Sequence, residues 1–308
     1  MPAPGSASLI ALDWGTTGLR AYLLGADGAV LEKKEQALGI LNVKNGDFAG
    51  AFREATGAWP KAPALAAGMI GSRQGWREAP YVECPAGLDA LARGLLAVPS
   101  ADLKIVPGVS MVDADGVPDV MRGEETQIFG VVEGGVFSGG ASGIAVLPGT
   151  HSKWVAVQAG KIARFATFMT GEAFAAISGH TILGRLFAGE TFDAQGFARG
   201  VDHAAREAKG RGGLLHRLFS ARTLGLFDKI PGAGLHSYLS GLLIGAEIEE
   251  ACAWLGGKPA RVPVIGGAAL SASYERALQR RGIAADIAAP DAAAQGLWRI
   301  ARAAKLVA

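Results

Sequence analysis

The sequence predicts an α/β fold in two domains, with helices on both faces of each sheet. Three observations carry this. Apolar runs of strand length alternate with helix-length segments along the 308 residues. A strand, a Gly/Thr turn and two further antiparallel strands open the chain at Leu9, and the same pattern restarts at Ile144. Between them, residues 133–143 are rich in Gly and Ser and mark the domain boundary, giving domains of 8–137 and 138–308. At roughly 150 residues per domain, the length suits two.

The elements follow in order. Leu9–Leu12 reads as a buried strand, Leu19–Leu24 as its partner, and Ala29–Glu35 as a third strand after the hairpin turn Ala26-Asp27-Gly28. Phe48–Trp59 has a helical pattern that Pro60 and Pro63 end. Ala64–Met69 is a buried strand, followed by a loop from Gly71 to Pro80. Leu88–Leu96 reads as a helix, Lys104–Val106 as a strand and Thr126–Val132 as a helix. The second half opens with strands Ile144–Leu147, Trp154–Val157 and Ile162–Phe168. Helices Glu172–His180, Ala194–Ala208, Leu214–Leu224 and Leu235–Leu255 come next. Strand Val262–Ile265, helix Ser271–Arg281, strand Ala284–Ile287 and helix Ala292–Ala304 end the chain, and the last helix is free to pack back on the first domain.

Composition narrows the function. Half of the residues are apolar and 19% are charged, enough to bury large cores. The net charge of +2 does not point to a nucleic-acid partner. Cys84 and Cys252 have no partners at metal spacing and suggest a reducing cytosol. The most apolar run, Leu239–Ala246, is followed at once by Glu247, Glu249 and Glu250, so no membrane span is expected. These features predict a cytoplasmic protein with a small-molecule ligand and no nucleic-acid or membrane partner; a homodimer is left open. Most of the 45 glycines are put down to overall composition.

Five segments could carry chemistry. Asp13-Trp14-Gly15-Thr16-Thr17 follows a buried strand. Gly15 lets backbone approach a phosphate, Thr16 and Thr17 offer donors, and Asp13 can hold Mg²⁺ through water. Arg20 could reach the transferred group. Pro148-Gly149-Thr150-His151-Ser152-Lys153 repeats that setting, with Lys153 adding charge. Two such turns can neutralise a phosphoryl group from two sides of a cleft. Arg122-Gly123-Glu124-Glu125 heads a helix. The helix dipole alone explains carboxylates there, yet it also favours the ionised form that a general base requires. Either Glu124 or Glu125 could be that base. Gly266-Gly267, between a strand and a helix, suits a nucleotide's ribose and adenine. The loop holding Gly71, Ser72, Arg73 and Trp76 suits a sugar acid, by ring stacking and charge. Thr170 and Glu172, in TFMTGE, are further substrate candidates. Arg122, Arg73 and Lys153 are unranked candidates for a substrate carboxylate. The chain has no GxxxxGK[ST] loop.

The order of these elements resembles the actin, hexokinase and Hsp70 ATPase superfamily, whose domains are ribonuclease-H-like. Leu147-Pro148-Gly149-Thr150 departs from the Asp-x-Gly usual in its second turn. The wording of ALDWGTTGLRAYLL, AAGMIGSRQGWREAPYV, VMRGEETQIFG, LPGTHSKWV, FMTGE and YLSGLLIGAE is similar to the 2-dehydro-3-deoxygalactonokinases over nearly the whole chain. That resemblance implies ATP and Mg²⁺ as cofactors and transfer of the γ-phosphoryl group to the 6-hydroxyl of 2-dehydro-3-deoxy-D-galactonate. A kinase for another sugar acid or ketose, or a non-catalytic sugar- and nucleotide-binding regulator, are the alternatives on this fold.

Overall fold

A computed structural model describes residues 7–132, 137, 141–205 and 212–308. The chain begins with β1 (Ala7–Trp14), β2 (Leu19–Gly25), β3 (Val30–Gln36), α1 (Phe48–Thr56) and β4 (Ala64–Ala67). Then come β5 (Tyr81–Glu83), α2 (Leu88–Arg93), β6 (Leu96–Val98), β7 (Leu103–Ile105), β8 (Gly108–Val112), β9 (Pro118–Met121) and α3 (Glu124–Val131). The pattern restarts with β10 (Gly143–Leu147), β11 (Ser152–Gln158), β12 (Lys161–Phe168), α4 (Thr170–His180) and α5 (Ala194–Ala205). It continues through α6 (Leu214–Leu218), α7 (Ser220–Leu226), α8 (Gly232–Leu255), β13 (Arg261–Val264), α9 (Ala268–Arg280), β14 (Ala284–Ile287) and α10 (Ala292–Ala303).

The main sheets share one plan. The first has the order β3-β2-β1-β4-β7-β6 and the second β12-β11-β10-β13-β14. In the first, β1, β2 and β3 pair antiparallel, and β4 and β7 add in parallel. In the second, β13 and β14 add to β10 in parallel. Parallel strands buried on both faces read as continuous apolar runs, and Leu9 to Leu12 of β1 are all buried. The edge strand β3 instead carries Glu32, Lys33, Lys34 and Glu35, charges that discourage further pairing. A separate sheet has the order β5-β8-β9.

Two compact units emerge. One takes the chain up to Gly143 with Val155–Phe165 and Ala289–Ala308; the other takes Ile144–Trp154 and Ala166–Ala288. In the first unit, Ile10, Leu12 and Trp14 pack with Phe48 and Trp59. On the other side, α10 meets α3 closely. A Cβ on Gly296 would fall 1.7 Å from the Thr126 carbonyl oxygen, and one on Gly130 would fall 1.9 Å from that of Ala292. In the second unit, α5 and α8 touch in the same way. A Cβ on Gly200 would lie 2.2 Å from the Tyr238 oxygen, and one on Gly241 would lie 2.1 Å from that of Phe197. These four glycines are therefore packing requirements and stand as exceptions to the expectation that most glycines reflect composition.

Other differences have local causes. Strand β4 stops at Ala67, because Gly68 turns the chain at φ 92°. The helix expected over Leu214–Leu224 divides at Phe219. There the Ser220 hydroxyl bonds back to the Arg217 carbonyl at 2.6 Å. Leu88–Leu96 ends as a helix at Arg93, and Leu96 joins β6. The expected boundary at 137/138 and the end of the helix at Ala208 fall against or among residues outside those described.

Candidate active site

The first half-site is built by the first unit alone. At the end of β1, Asp13 pairs in register with Arg20 of β2, and their side chains form an ion pair at 3.3 Å. Between them the chain turns through Gly15, Thr16, Thr17 and Gly18. The carbonyls of this turn all accept hydrogen bonds from backbone N–H groups. Gly15 N–H donates to Gly18 at 2.9 Å, Ile40 to Gly15 at 3.0 Å, Leu41 to Thr16 at 3.1 Å and Gly39 to Thr17 at 3.1 Å. The Asn42 side chain adds a bond to Thr17 O at 3.0 Å. With the oxygens committed, the amides and hydroxyls of the exposed Thr16 and Thr17 are the donors this turn can bring to an anion. A cavity of about 580 Å³ opens here, lined by Asp13, the turn, Arg20, Gln36 and Gln127.

Two glycines bring the head of α3 to Asp13. Gly68 (φ 92°) leaves no room for a Cβ, which would lie 2.8 Å from Trp14 O. Gly123 (φ 112°) is stacked on it, with a Cβ position 3.2 Å from Gly68 Cα. Glu124, partly exposed, accepts from the Arg122 backbone N–H at 3.0 Å. Burial pushes the Asp13 carboxyl above its ordinary range; Arg20 opposes this and the neighbouring Glu124 carboxylate adds to it.

Glu125 points the other way. It is fully buried, accepts from Gly123 N–H at 2.7 Å through Oε2, and its Oε1 has no hydrogen-bond partner among the described residues. Burial, then Glu124, pushes its pKa from 4.5 up to about 8. Arg122 stacks over Tyr81 at 4.3 Å and donates to Ala79 O at 2.8 Å. Its Nη1 fills the space where a Cβ on Gly71 would stand, 2.9 Å away.

The second half-site is built by the second unit. After β10, the turn Pro148 to His151 leads into β11. The start of α4 docks on it: Glu172 N–H donates to Thr150 O at 2.9 Å, and a Cβ on Gly171 would lie 2.3 Å from Gly149 O. His151 Nε2 and Glu172 Oε2 are 2.5 Å apart. Lys153 is buried, with Nζ 3.4 Å from His151 O. Gly266 lies beside this turn, its Cβ position 3.3 Å from Pro148 O, and Gly267 faces open space.

The structure thus brings together Asp13, Arg20, Glu124 and the first turn in one unit, and Gly149, Thr150, Lys153, Gly266 and Gly267 in the other. The substrate candidates scatter. Arg73 is 82% exposed and pairs with Glu78 at 3.5 Å. Ser72 gives its hydroxyl to Met69 O at 2.7 Å. Trp76 stacks on Phe48 at 6.2 Å as part of the core edge. Thr170 turns its hydroxyl to Glu247. Gln127, the 39–42 clamp and Glu247 were not among the predicted site residues; Gln127 and Glu247 lie in the stretches VMRGEETQIFG and YLSGLLIGAE that carry the family resemblance, whereas nothing local marks 39–42.

The chain matches the family described as 2-keto-3-deoxy-galactonokinase over residues 13–300. It is 37% identical over 299 residues to a Rhizobium meliloti protein named a probable 2-dehydro-3-deoxygalactonokinase, covering 95% of this chain and 96% of that one. It is 33% identical to the Escherichia coli 2-dehydro-3-deoxygalactonokinase, covering 97% and 99%. A crystal structure from Sinorhizobium meliloti, described as a 2-dehydro-3-deoxygalactonokinase protein, superposes with a TM-score of 0.85 at 36% identity, over 96% and 98% of the two chains. The activator of the 2-hydroxyisocaproyl-CoA dehydratase from Clostridium difficile, solved with ADPNP, shares the fold alone. Its TM-score is 0.53 at 10% identity, over 97% of this chain and 96% of that one. With the repeated sheet plan, these likenesses give the two-domain actin-like ATPase fold. The chain belongs to the 2-keto-3-deoxy-galactonokinase family, a family of sugar-acid kinases.

Proposed function

We propose that this protein transfers the γ-phosphoryl group of ATP to the 6-hydroxyl of 2-dehydro-3-deoxy-D-galactonate, giving the 6-phosphate and ADP. The observation that supports this beyond family membership is the meeting of Asp13 and Glu124 at the first turn. Glu124 accepts the proton of the 6-hydroxyl as its oxygen bonds to the γ-phosphorus and the bond to the β–γ bridging oxygen breaks. Glu125 does not suit that role, because a carboxyl titrating near 8 already holds its proton at neutral pH. Thr16 and Thr17 donate to phosphate oxygens, and Arg20 neutralises developing charge. Gly149, Thr150 and Lys153 serve phosphates, and Gly266 and Gly267 the adenosine.

Asp13 fits a Mg²⁺ ion. Two carboxylates repel each other there, which a cation relieves. No group of three His, Cys, Asp or Glu side chains suited to a metal occurs among the described residues. Mg²⁺ asks for only one or two carboxylates, taking its other oxygens from water and phosphates. When bound, the ion supplies charge neutralisation to those phosphates.

Arg122 and Lys153 are the candidate readers of the substrate carboxylate; Arg122 has buried Nε and Nη1 without a hydrogen-bond partner among the described residues, whereas Arg73 is exposed and pairs with Glu78. No helix among the described residues is long and apolar enough to cross a membrane, and the reading places the enzyme in the cytoplasm. The experiment is a phosphorus–proton correlation spectrum of the product. Coupling of the new phosphorus to the C6 methylene protons is expected; coupling to a ring or chain methine would overturn the assignment.

A further inference from the structure

Glu247 lies within α8 and is 3% exposed. A buried carboxylate is costly unless its oxygens are satisfied. Four side chains converge on this one. Trp154 Nε1 donates to Oε1 at 2.8 Å. The Ser152 hydroxyl bonds to Oε2 at 3.0 Å and the Tyr274 hydroxyl at 2.6 Å, and these two hydroxyls also meet each other at 2.7 Å. The Thr170 hydroxyl completes the set. Burial pushes the carboxyl's pKa up, and the four hydrogen bonds pull against it.

The origins of the four matter more than their number. Ser152 and Trp154 begin β11, directly after the Pro148–His151 turn. Thr170 is the first residue of α4, the helix whose Glu172 N–H and Gly171 hold that turn at Thr150 and Gly149. Tyr274 belongs to α9, which starts immediately after Gly266-Gly267. One carboxylate therefore ties together the strand after the second turn, the helix docked on it and the helix after the glycine pair.

We propose that Glu247 is a positioning residue for nucleotide binding, fixing the Gly149-Thr150 turn and the Gly266-Gly267 turn in one geometry. The role rests on the kinase reading above. It acts through the ligand-facing turns and touches no substrate. A carboxylate is suited to it as an acceptor at both oxygens. An amide keeps the volume but offers one acceptor oxygen, and its NH₂ faces donors.

The test is Glu247→Gln with Tyr274→Phe as a smaller lesion. The readouts are KM for ATP, KM for the sugar acid, and ADP affinity by calorimetry. Misplaced binding groups should raise the ATP KM and the ADP Kd about tenfold or more in Glu247→Gln. Tyr274→Phe should move them less, in the same direction, and the sugar-acid KM should stay within about twofold in both variants. Equal shifts in both KM values, or a lower Tm with nucleotide affinity unchanged, would overturn the positioning role. If Glu247→Gln does not fold, Tyr274→Phe and Ser152→Ala decide by the same criterion. A wild-type protein that fails to bind ADP would defeat the kinase reading itself, an outcome distinct from variants that match a tight-binding wild type.

Discussion

Replacing Glu125 by Gln should stabilise the protein increasingly as pH rises. In the folded state the carboxyl titrates near 8, against an ordinary value of 4.5, because it is wholly buried beside Glu124. A raised folded pKa means that its contribution is fully present below about 4.5. It is lost progressively as pH climbs to about 8, since the unfolded chain releases a proton that the folded chain keeps. The loss runs at about 1.4 kcal/mol per pH unit. Over the interval from 4.5 to about 8, this sets a ceiling of about 5 kcal/mol. A glutamine does not titrate, can still accept from Gly123 N–H, and leaves a similar buried donor where the protonated carboxyl had one. Its stability advantage should therefore be flat below pH 4.5, grow between 4.5 and 8 and level off above. Urea unfolding of both proteins at half-unit steps of pH reads this directly, with kcat measured alongside. Parallel stability curves would refute the burial argument. A loss of about 10²-fold in kcat would move the general base to Glu125.

The remaining predictions concern catalysis and packing. Glu124→Gln should lower kcat by about 10²-fold or more with ATP KM near normal, as loss of a general base does; near-wild-type kcat would remove Glu124 from that role. Asp13→Ala should abolish Mg²⁺-dependent turnover, and steady-state rates across a Mg²⁺ titration check it. Gly296→Ala should destabilise by about 3 kcal/mol, because its Cβ would stand 1.7 Å from Thr126 O and α3 and α10 must part. The urea midpoint measures that, and an unchanged midpoint would mean that the helices separate at little cost.

Much of this was legible because it is local. A glycine and two threonines after an apolar strand favour an exposed turn on local grounds, although residues 39–42 are what hold its carbonyls. Asp13 and Glu124 could each be singled out from their neighbours in sequence. Their meeting could not, since it depends on Gly68 and Gly123 stacking between β1 and α3. The choice between Glu124 and Glu125 was equally hidden: adjacent residues on a helix differ by about 100° in direction, and only tertiary packing decides which is buried. The packing of Trp76 was hidden for the same reason, because a glycine-rich loop does not show that the ring stacks on Phe48. The β5-β8-β9 sheet has strands of three to five residues, too short for a period to show. Glu247 follows an apolar run, where in the sequence it argues only against a membrane span; its four partners come from three distant segments.

The most direct test of the central claim is ADP release by the purified protein in three parallel reactions. One contains 2-dehydro-3-deoxy-D-galactonate, one its gluconate epimer and one no acceptor. Rapid release with the galactonate derivative, slower release with the epimer and almost none without acceptor are expected. Release that is independent of acceptor, or absent in all three, would contradict the claim.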